Sequence, residues 1–291
     1  MLGVIGGSGL YAMDVLGDAH EQHVATPFGE PSDAFVVGRL HGTDVAFLPR
    51  HGAGHRILPT ELNFRANIHA LKQLGVTEVV SVSAVGSLRE EIVPGHLVVP
   101  DQFIDRTRGR VSTFFGDGCV AHVGFADPFC AGLSALVASS AREAGGTVHE
   151  GGTYICMEGP AFSTRAESNL YRSWGGNIIG MTNLQEAKLA REAELCFSTL
   201  ALATDYDCWR EEEEGVQTAD ILAVLAANAA LARETVSVVA RDTGAHSRTC
   251  GCRTALDFAV ITDPARIPES TRAKLALLLA RSTGVAAPVA N

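Results

Sequence analysis

The amino-acid sequence predicts an α/β protein, a single domain with a central mixed, largely parallel sheet flanked by helices. Short β-branched, apolar runs alternate with helix-period segments along the chain. The 291 residues are 46% apolar and 19% charged, enough for one large core. Neither an internal repeat nor a long low-complexity linker divides them, so residues 1–291 are expected to form one unit.

Strands are expected at Leu2–Ile5, Ala34–Val37, Val45–Leu48, Val79–Ser83, Leu97–Val99, Thr153–Met157, Asn177–Ile179 and Cys196–Ala203, where β-branched and aliphatic residues cluster between turn formers. Helical periodicity places helices at Leu62–Leu74, Gly132–Ala144, Thr164–Ser173, Glu186–Glu194 and Asp220–Val239, with a C-terminal helix at 270–281. Arg106 to Asp127 is rich in glycine and polar residues, a loop long enough to be functional or partner-facing. The acidic run Glu211–Glu214 reads as a solvated loop before the Asp220 helix.

A formal charge of −10 argues against nucleic acid or an anionic membrane as partner, because both demand a basic face. Met1 runs into Leu2-Gly3-Val4-Ile5 without a basic leader, and the apolar run Ile221–Ala232 is interrupted by Asn228 and too short to span a bilayer. A soluble, cytoplasmic protein is expected. Seven cysteines, an odd number, suit reduced thiols in that compartment. Only Cys250-Gly251-Cys252 has motif-like spacing, and two ligands are too few for structural zinc, so no metal is expected.

Several strand ends carry chemistry. Leu195–Trp209 is an apolar run ending in Asp205 and Asp207, and on an extended chain two such side chains leave one face about 6.5 to 7 Å apart at their Cα atoms. They read either as solvated loop acids or as a pair addressing one edge of a nitrogenous base. Gly6-Gly7-Ser8-Gly9 follows the first strand, where backbone N–H groups and the Ser8 hydroxyl could converge on an anion. A plain tight turn fits equally, and Gly7 to Ala12 also satisfies a loose dinucleotide pattern with Asp33 as a ribose reader. Arg50 offers a planar bidentate donor to phosphate with His51 as a second donor, though an Arg-His pair alone usually means surface. Ser83-Ala84-Val85-Gly86-Ser87 and Thr182 supply small residues and hydroxyls at two further strand ends, where ligands of open α/β sheets sit.

Together these segments resemble the trimeric nucleoside phosphorylase family, and within it the methylthioadenosine phosphorylases. The resemblance covers about residues 2 to 262. It rests on GVIGGSGLY at 3–11, TPFGEPSD at 26–33, LPRHGAGHRILPTELNFRAN at 48–67, AVGSLREEIVPGHLVVPDQFIDRT at 84–107, MEGPAFSTRAES at 157–168, GMTNLQEAKLAREAE at 180–194 and ATDYDCW at 203–209. It implies a phosphate pocket of Ser8, Arg50, His51, Ser83, Ala84 and Thr182, with serine at 83 where the family more often has threonine. Phe162 would lie against the purine and Met181 against the ribose, where residue type alone suggests core packing. Thr218, Ile221 and Leu222 would line an apolar pocket for the 5′-methylthio group, and His122 would reach a neighbouring subunit's site. The family's Thr-x-x-Pro-Glu reads Thr182-Asn183-Leu184-Gln185-Glu186 here, without the proline.

The implied reaction is phosphorolysis of S-methyl-5′-thioadenosine by inorganic phosphate as co-substrate, without a cofactor, in a homotrimer that serves methionine and purine salvage. Asp205 would donate a proton at purine N7 and Asp207 accept from the exocyclic amine, with one pKa of the acid pair raised. Action on 6-oxopurine or other 5′-deoxy nucleosides is the nearest alternative. A nucleoside hydrolase would need no anion pocket, and an NAD-binding module would leave the acids and Arg50-His51 idle. Cys250 and Cys252 could form a redox-labile bridge, as the resemblance to relatives with this spacing implies, or two reduced thiols, the reading that suits a cytoplasmic protein.

Overall fold

The computed structural model describes residues 1–7, 10, 16–210, 218–245 and 248–281. Its strands in chain order are β1 (Leu2–Gly6), β2 (Gly17–Gln22), β3 (Phe35–Leu40), β4 (Thr43–Pro49), β5 (Glu78–Ser87), β6 (Leu97–Val99), β7 (Gln102–Arg106), β8 (Val148–Glu150), β9 (Thr153–Met157), β10 (Gly176–Gly180) and β11 (Cys196–Asp205). The helices are α1 (Phe64–Gln73), α2 (Ala131–Glu143), α3 (Arg165–Ser173), α4 (Asn183–Glu192), α5 (Thr218–Asp242), α6 (Glu269–Lys274) and α7 (Ala276–Leu279). Among the described residues no helix is long and apolar enough to cross a membrane.

All eight expected strands form, and the eleven strands of the described residues join one mixed sheet. Its spine is β5, flanked from Glu78 to Gly86 by β11 in parallel. Every residue of β11 except Asp205 is buried, as expected for a strand covered on both faces by helices. Helices α2 and α5 pack together on one face, and α1 and α4 cover the other. The aliphatic residues of β1, β5 and β11 fill the space between.

Three strands were not expected. All six residues of β2 are exposed, so it lacks the apolar alternation that marks a strand, while β7 and β8 are short and part polar. The expected C-terminal helix is broken into α6 and α7 by Leu275, whose backbone leaves helical angles (φ −96°, ψ 3°). The Arg106–Asp127 excursion holds no helix or strand beyond the end of β7, apart from isolated bridges at Gly116–Cys119 and Ala121–Val260. The Glu211–Glu214 run lies outside the described residues.

The sheet is split where it matters. One edge of β5 pairs with β1 only from Glu78 to Ser81 and with β10, antiparallel, only at Gly86 and Ser87. Between these contacts, Val82 to Val85 have no strand beside them on that edge. The ends of β1, β4, β10 and β11 all converge on this gap.

Candidate active site

A cavity of about 350 Å³ opens at the gap, within the size range of small-ligand sites. It is lined by Arg50 and His51 beyond β4, by Val82 to Gly86 of β5, by Met181 and Thr182 beyond β10, by Asp205 and Asp207 at the end of β11, and by Phe162. Thus nine residues expected to form a site from scattered strand ends share one cavity: Arg50, His51, Ser83, Ala84, Phe162, Met181, Thr182, Asp205 and Asp207. Ser8 and the side chains of Thr218, Ile221 and Leu222 lie outside the described residues.

At the cationic side, the Arg50 guanidinium is buried and already engaged. Its Nε donates to Glu186 Oε1 at 2.5 Å, Nη2 donates to Glu186 Oε2 at 3.2 Å and to Ser81 Oγ at 2.6 Å, and Nη1 donates to the Val82 carbonyl at 2.9 Å. The last bond caps a carbonyl in the unpaired stretch of β5. Ser81 donates in turn to Glu186 Oε2 at 2.6 Å, and Asn183 donates to Ser81 Oγ at 2.7 Å. Glu186, in the first turn of α4, therefore fixes and balances Arg50, a role that nothing in the order of residues revealed.

His51 differs from its expectation as a second donor. The Ile57 carbonyl can only accept, so the 2.8 Å contact assigns the ring proton to Nδ1 and leaves Nε2 as an acceptor. Burial lowers the His51 pKa to about 4, and the Arg50 and His55 charges push the same way, against the Ile57 carbonyl and Glu186. The ring, stacked on His55 at 4.3 Å between centroids, is neutral at pH 7. As pH falls from 6.5 towards about 4, the unfolded chain takes up a proton that the folded ring refuses, so His51 contributes a loss of stability in that window and none above it. A His51→Asn variant is expected to show a shallower acid slope of its urea midpoint between those pH values; an unchanged slope would mean that the native ring titrates normally.

Thr182 is the N-cap of α4 and lines the cavity, so the positive end of a ten-residue helix borders it, and the Thr182 hydroxyl makes no capping bond. Ser83 is buried, its hydroxyl 3.4 Å from Tyr154 Oη and from the Ala84 carbonyl. Gly180, at the end of β10, has no room for a side chain: a Cβ there would lie 1.9 Å from the Tyr154 hydroxyl.

The acidic side depends on an irregularity in β11. The register advances from Ala203–Val85 to Asp205–Gly86, so Thr204 is an extra residue, and this bulge sets the direction of the Asp205 side chain. The Thr204 hydroxyl lies 2.7 Å from Asp205 Oδ2, and the backbone N–H of Asp207 donates to Asp205 Oδ1 at 2.7 Å. Asp207 has a positive φ of 52°, so the chain turns after Asp205 and the two acids are not the extended pair that spacing suggested. Gly86 admits them, since a Cβ would meet Asp205 Oδ1 at 3.1 Å and Asp207 Cβ at 3.3 Å.

Burial is the main cause that raises the Asp207 carboxyl above the usual carboxylate range, and the charges of Asp205 and Glu167 add to it. The nearby Ser168 hydroxyl and the Cys208 N–H act in the opposite direction. Ser168 Oγ and Asp207 Oδ2 are nevertheless both buried without a completed hydrogen bond. The expectation of one raised acid thus holds for Asp207, with burial rather than mutual charge as the larger cause.

Phe162 is 83% exposed although it forms part of the cavity wall, which leaves a ring face open for stacking. Met181 is held from behind by Arg110, which donates to the Met181 carbonyl at 2.5 Å, to Gln185 Oε1 at 3.2 Å and to Glu158 Oε1 at 3.0 Å. Gln185, at the position of the missing proline, donates to Thr107 at 2.9 Å, so the substitution ties the Arg106–Asp127 loop to α4. His122 is exposed and does not line this cavity. Asp33 does not line it either; burial pushes its carboxyl up, but the N–H groups of Ala53 and Ala34 and the Arg56 charge outweigh this and hold it below the usual range. It braces the turn after Arg50 instead, which removes the ribose-reading acid from the dinucleotide alternative.

Comparison with known proteins agrees with this geometry. A family model described as the phosphorylase superfamily matches residues 1–240. The S-methyl-5′-thioadenosine phosphorylase of Geobacter sulfurreducens is 60% identical over 280 residues, covering 96% of this chain and 98% of that protein. The corresponding protein of Koribacter versatilis is 57% identical, covering 97% of each chain. Among solved structures, a methylthioadenosine phosphorylase from an antarctic soil metagenomic library superposes with a TM-score of 0.92 at 48% identity, covering 96% of this chain and 98% of that one. The Schistosoma mansoni methylthioadenosine phosphorylase in complex with adenine gives 0.81 at 35% identity, covering 96% and 97%. By these matches across nearly its whole length, the chain belongs to the phosphorylase superfamily.

Proposed function

We propose that residues 1–291 act as one unit that splits S-methyl-5′-thioadenosine with inorganic phosphate into adenine and 5-methylthioribose 1-phosphate. The observation that carries this reading is the single cavity with an acid pair on one wall and a buried, braced arginine beside a helix N-terminus on another. An anion and a nitrogenous base can occupy those two walls together. The relatives named for the same reaction support it.

Phosphate would lie against Arg50, Ser83, Ala84 and Thr182, with Ser8 completing the set. Neutral His51 would accept a hydrogen bond from a protonated phosphate oxygen. A phosphate oxygen attacks the ribosyl carbon as its bond to purine N9 breaks, and the bonding pair leaves with the base. The anion also offsets the positive charge developing on the sugar. Asp205 addresses N7 and the exocyclic amine beside it, and Asp207 gives a supporting contact to the amine. The proton that burial retains in the acid pair passes to N7, so the purine departs neutral. Phe162 would stack on the purine and Met181 would flank the ribose, while Thr218, Ile221 and Leu222 would enclose the methylthio group, as the resemblance implies. No metal or organic cofactor takes part in these steps.

Omitting phosphate separates this reading from hydrolysis. Adenine release from methylthioadenosine is expected to stop without phosphate and to return with it, yielding a sugar phosphate; release at an undiminished rate in phosphate-free buffer would establish a hydrolase.

A homotrimer belongs to the same proposal. His122 donates its backbone N–H to the Ala259 carbonyl beside the Ala121–Val260 bridge, and Val120 and Ile261, hydrogen-bonded across that bridge, and Phe258, next to Ala259 in the chain, are exposed large apolar residues. Contact with a second copy would cover them and bring His122 to its site. Light scattering is expected to give the mass of three chains, and a monomer at micromolar concentration would remove the shared site. Reduced thiols and the net charge suit a cytoplasmic enzyme of methionine and purine salvage.

A further inference from the structure

The fold brings together four sulfurs that the sequence scatters. Cys130 is the N-cap of α2, Cys196 is the first residue of β11, and Cys250 and Cys252 flank Gly251 at a short 3₁₀ turn, Gly251–Thr254. Their Sγ atoms all lie within 4.8 Å of one another. We propose that these four cysteines bind one soft, tetrahedral divalent cation, zinc foremost, in a structural site remote from the reaction.

The spacing fits metal ligands. Zn–S bonds of about 2.3 Å in a tetrahedron place the sulfurs about 3.8 Å apart, whereas a disulfide requires about 2.05 Å. Cys196 and Cys250 are 3.4 Å apart, near the edge of such a tetrahedron. Cys130, Cys196 and Cys252 are buried, and Cys250 is half-buried, so the group is largely shielded from solvent.

The surroundings suit the charge of the loaded site. Binding would exchange four thiol protons for one zinc ion without any redox change, leaving a centre of charge −2. Arg248 Nε lies 3.4 Å from Cys196 Sγ and can donate to a thiolate there. Cys130 sits at the positive end of a thirteen-residue helix, and its backbone N–H donates to the Phe197 carbonyl at 2.8 Å. The metal would pin the segment after α5 to β11 and α2. Asp205 is the last residue of the strand that Cys196 begins, about 30 Å away along an extended backbone, so the ion would act on stability and not on phosphorolysis.

The test uses the full chain, purified under reductant without chelator. Atomic emission is expected to find one zinc per chain, released as a mercurial titrates the cysteines. Exchange with Co²⁺ should give the intense thiolate-to-cobalt charge-transfer absorption of a four-sulfur site, weakened in Cys250→Ser and unchanged in Cys208→Ser. Removing the metal should lower Tm. The wild-type cobalt spectrum reads the site even if the Cys250→Ser protein fails to fold. Metal-free protein that takes up neither Zn²⁺ nor Co²⁺ would overturn the proposal. So would a second sample, isolated without reductant and denatured, that is four hydrogens lighter than the same protein after reduction, since that mass loss means two disulfides.

Discussion

Asp205→Asn is expected to lower the rate of methylthioadenosine phosphorolysis at least about tenfold, as for loss of a group that handles the transferred proton. The same variant should lose less, or gain, on methylthioinosine. A carboxylate can only accept hydrogen bonds, which suits an amino group on the purine, while an amide both donates and accepts and so suits a 6-oxopurine. The substitution is nearly isosteric, and its oxygen can still accept from Thr204 and from the Asp207 N–H, so folding should survive. The measurement is kcat/KM for methylthioadenosine, adenosine and methylthioinosine at saturating phosphate. Equal kcat/KM values for Asp205→Asn and the wild type on all three would remove Asp205 from the chemistry. Asp207→Asn provides the complementary experiment: because the raised carboxyl is Asp207, its loss should flatten the basic limb of the pH–rate profile.

Glu186→Ala is expected to cost about 3 to 5 kcal/mol of stability, the range for deleting one partner of a buried ion pair. The Arg50 side chain is only 3% exposed and Glu186 not at all, so solvent cannot take over from the lost carboxylate. Against a typical total stability of about 5 to 15 kcal/mol, this approaches unfolding. Urea denaturation gives the direct reading, and a midpoint within error of wild type would show that Arg50 is balanced by other groups. Removing both charges as Arg50→Met with Glu186→Leu should be less destabilising than removing Glu186 alone, although phosphate use would be lost. The conservative Glu186→Gln keeps an acceptor for Nε and should fall between, with a raised KM for phosphate as its activity signature.

The residues that could be read from sequence are those whose type and position agree. Strands β1, β5 and β11 are runs of aliphatic residues because helices cover them, and Arg50 follows β4 directly, Thr182 lies two residues beyond β10 and Asp205 ends β11. β2 left no such mark because none of its side chains is buried. The relations missed are those made at long range. Glu186 meets Arg50 across 136 positions, and Arg110 reaches Met181 across 71. His51 seemed a donor until the Ile57 carbonyl fixed its tautomer. Cys250 and Cys252 offered two ligands in sequence, and only the packing of α2 and β11 against the turn supplied Cys130 and Cys196.

The stretch of β5 beside the cavity also measures. Ser83 stands beside the anion wall and Gly86 beneath the acids, three residues apart on one strand, or about 10 Å of rigid backbone. Side-chain replacement cannot lengthen that interval, because β11 pairs with Ser83, Ala84, Val85 and Gly86 in turn and takes up its own extra residue, Thr204, as a bulge. Evolution could therefore exchange the purine or the 5′ substituent readily, yet would have to rebuild the strand register to accept a sugar appreciably longer than a pentose.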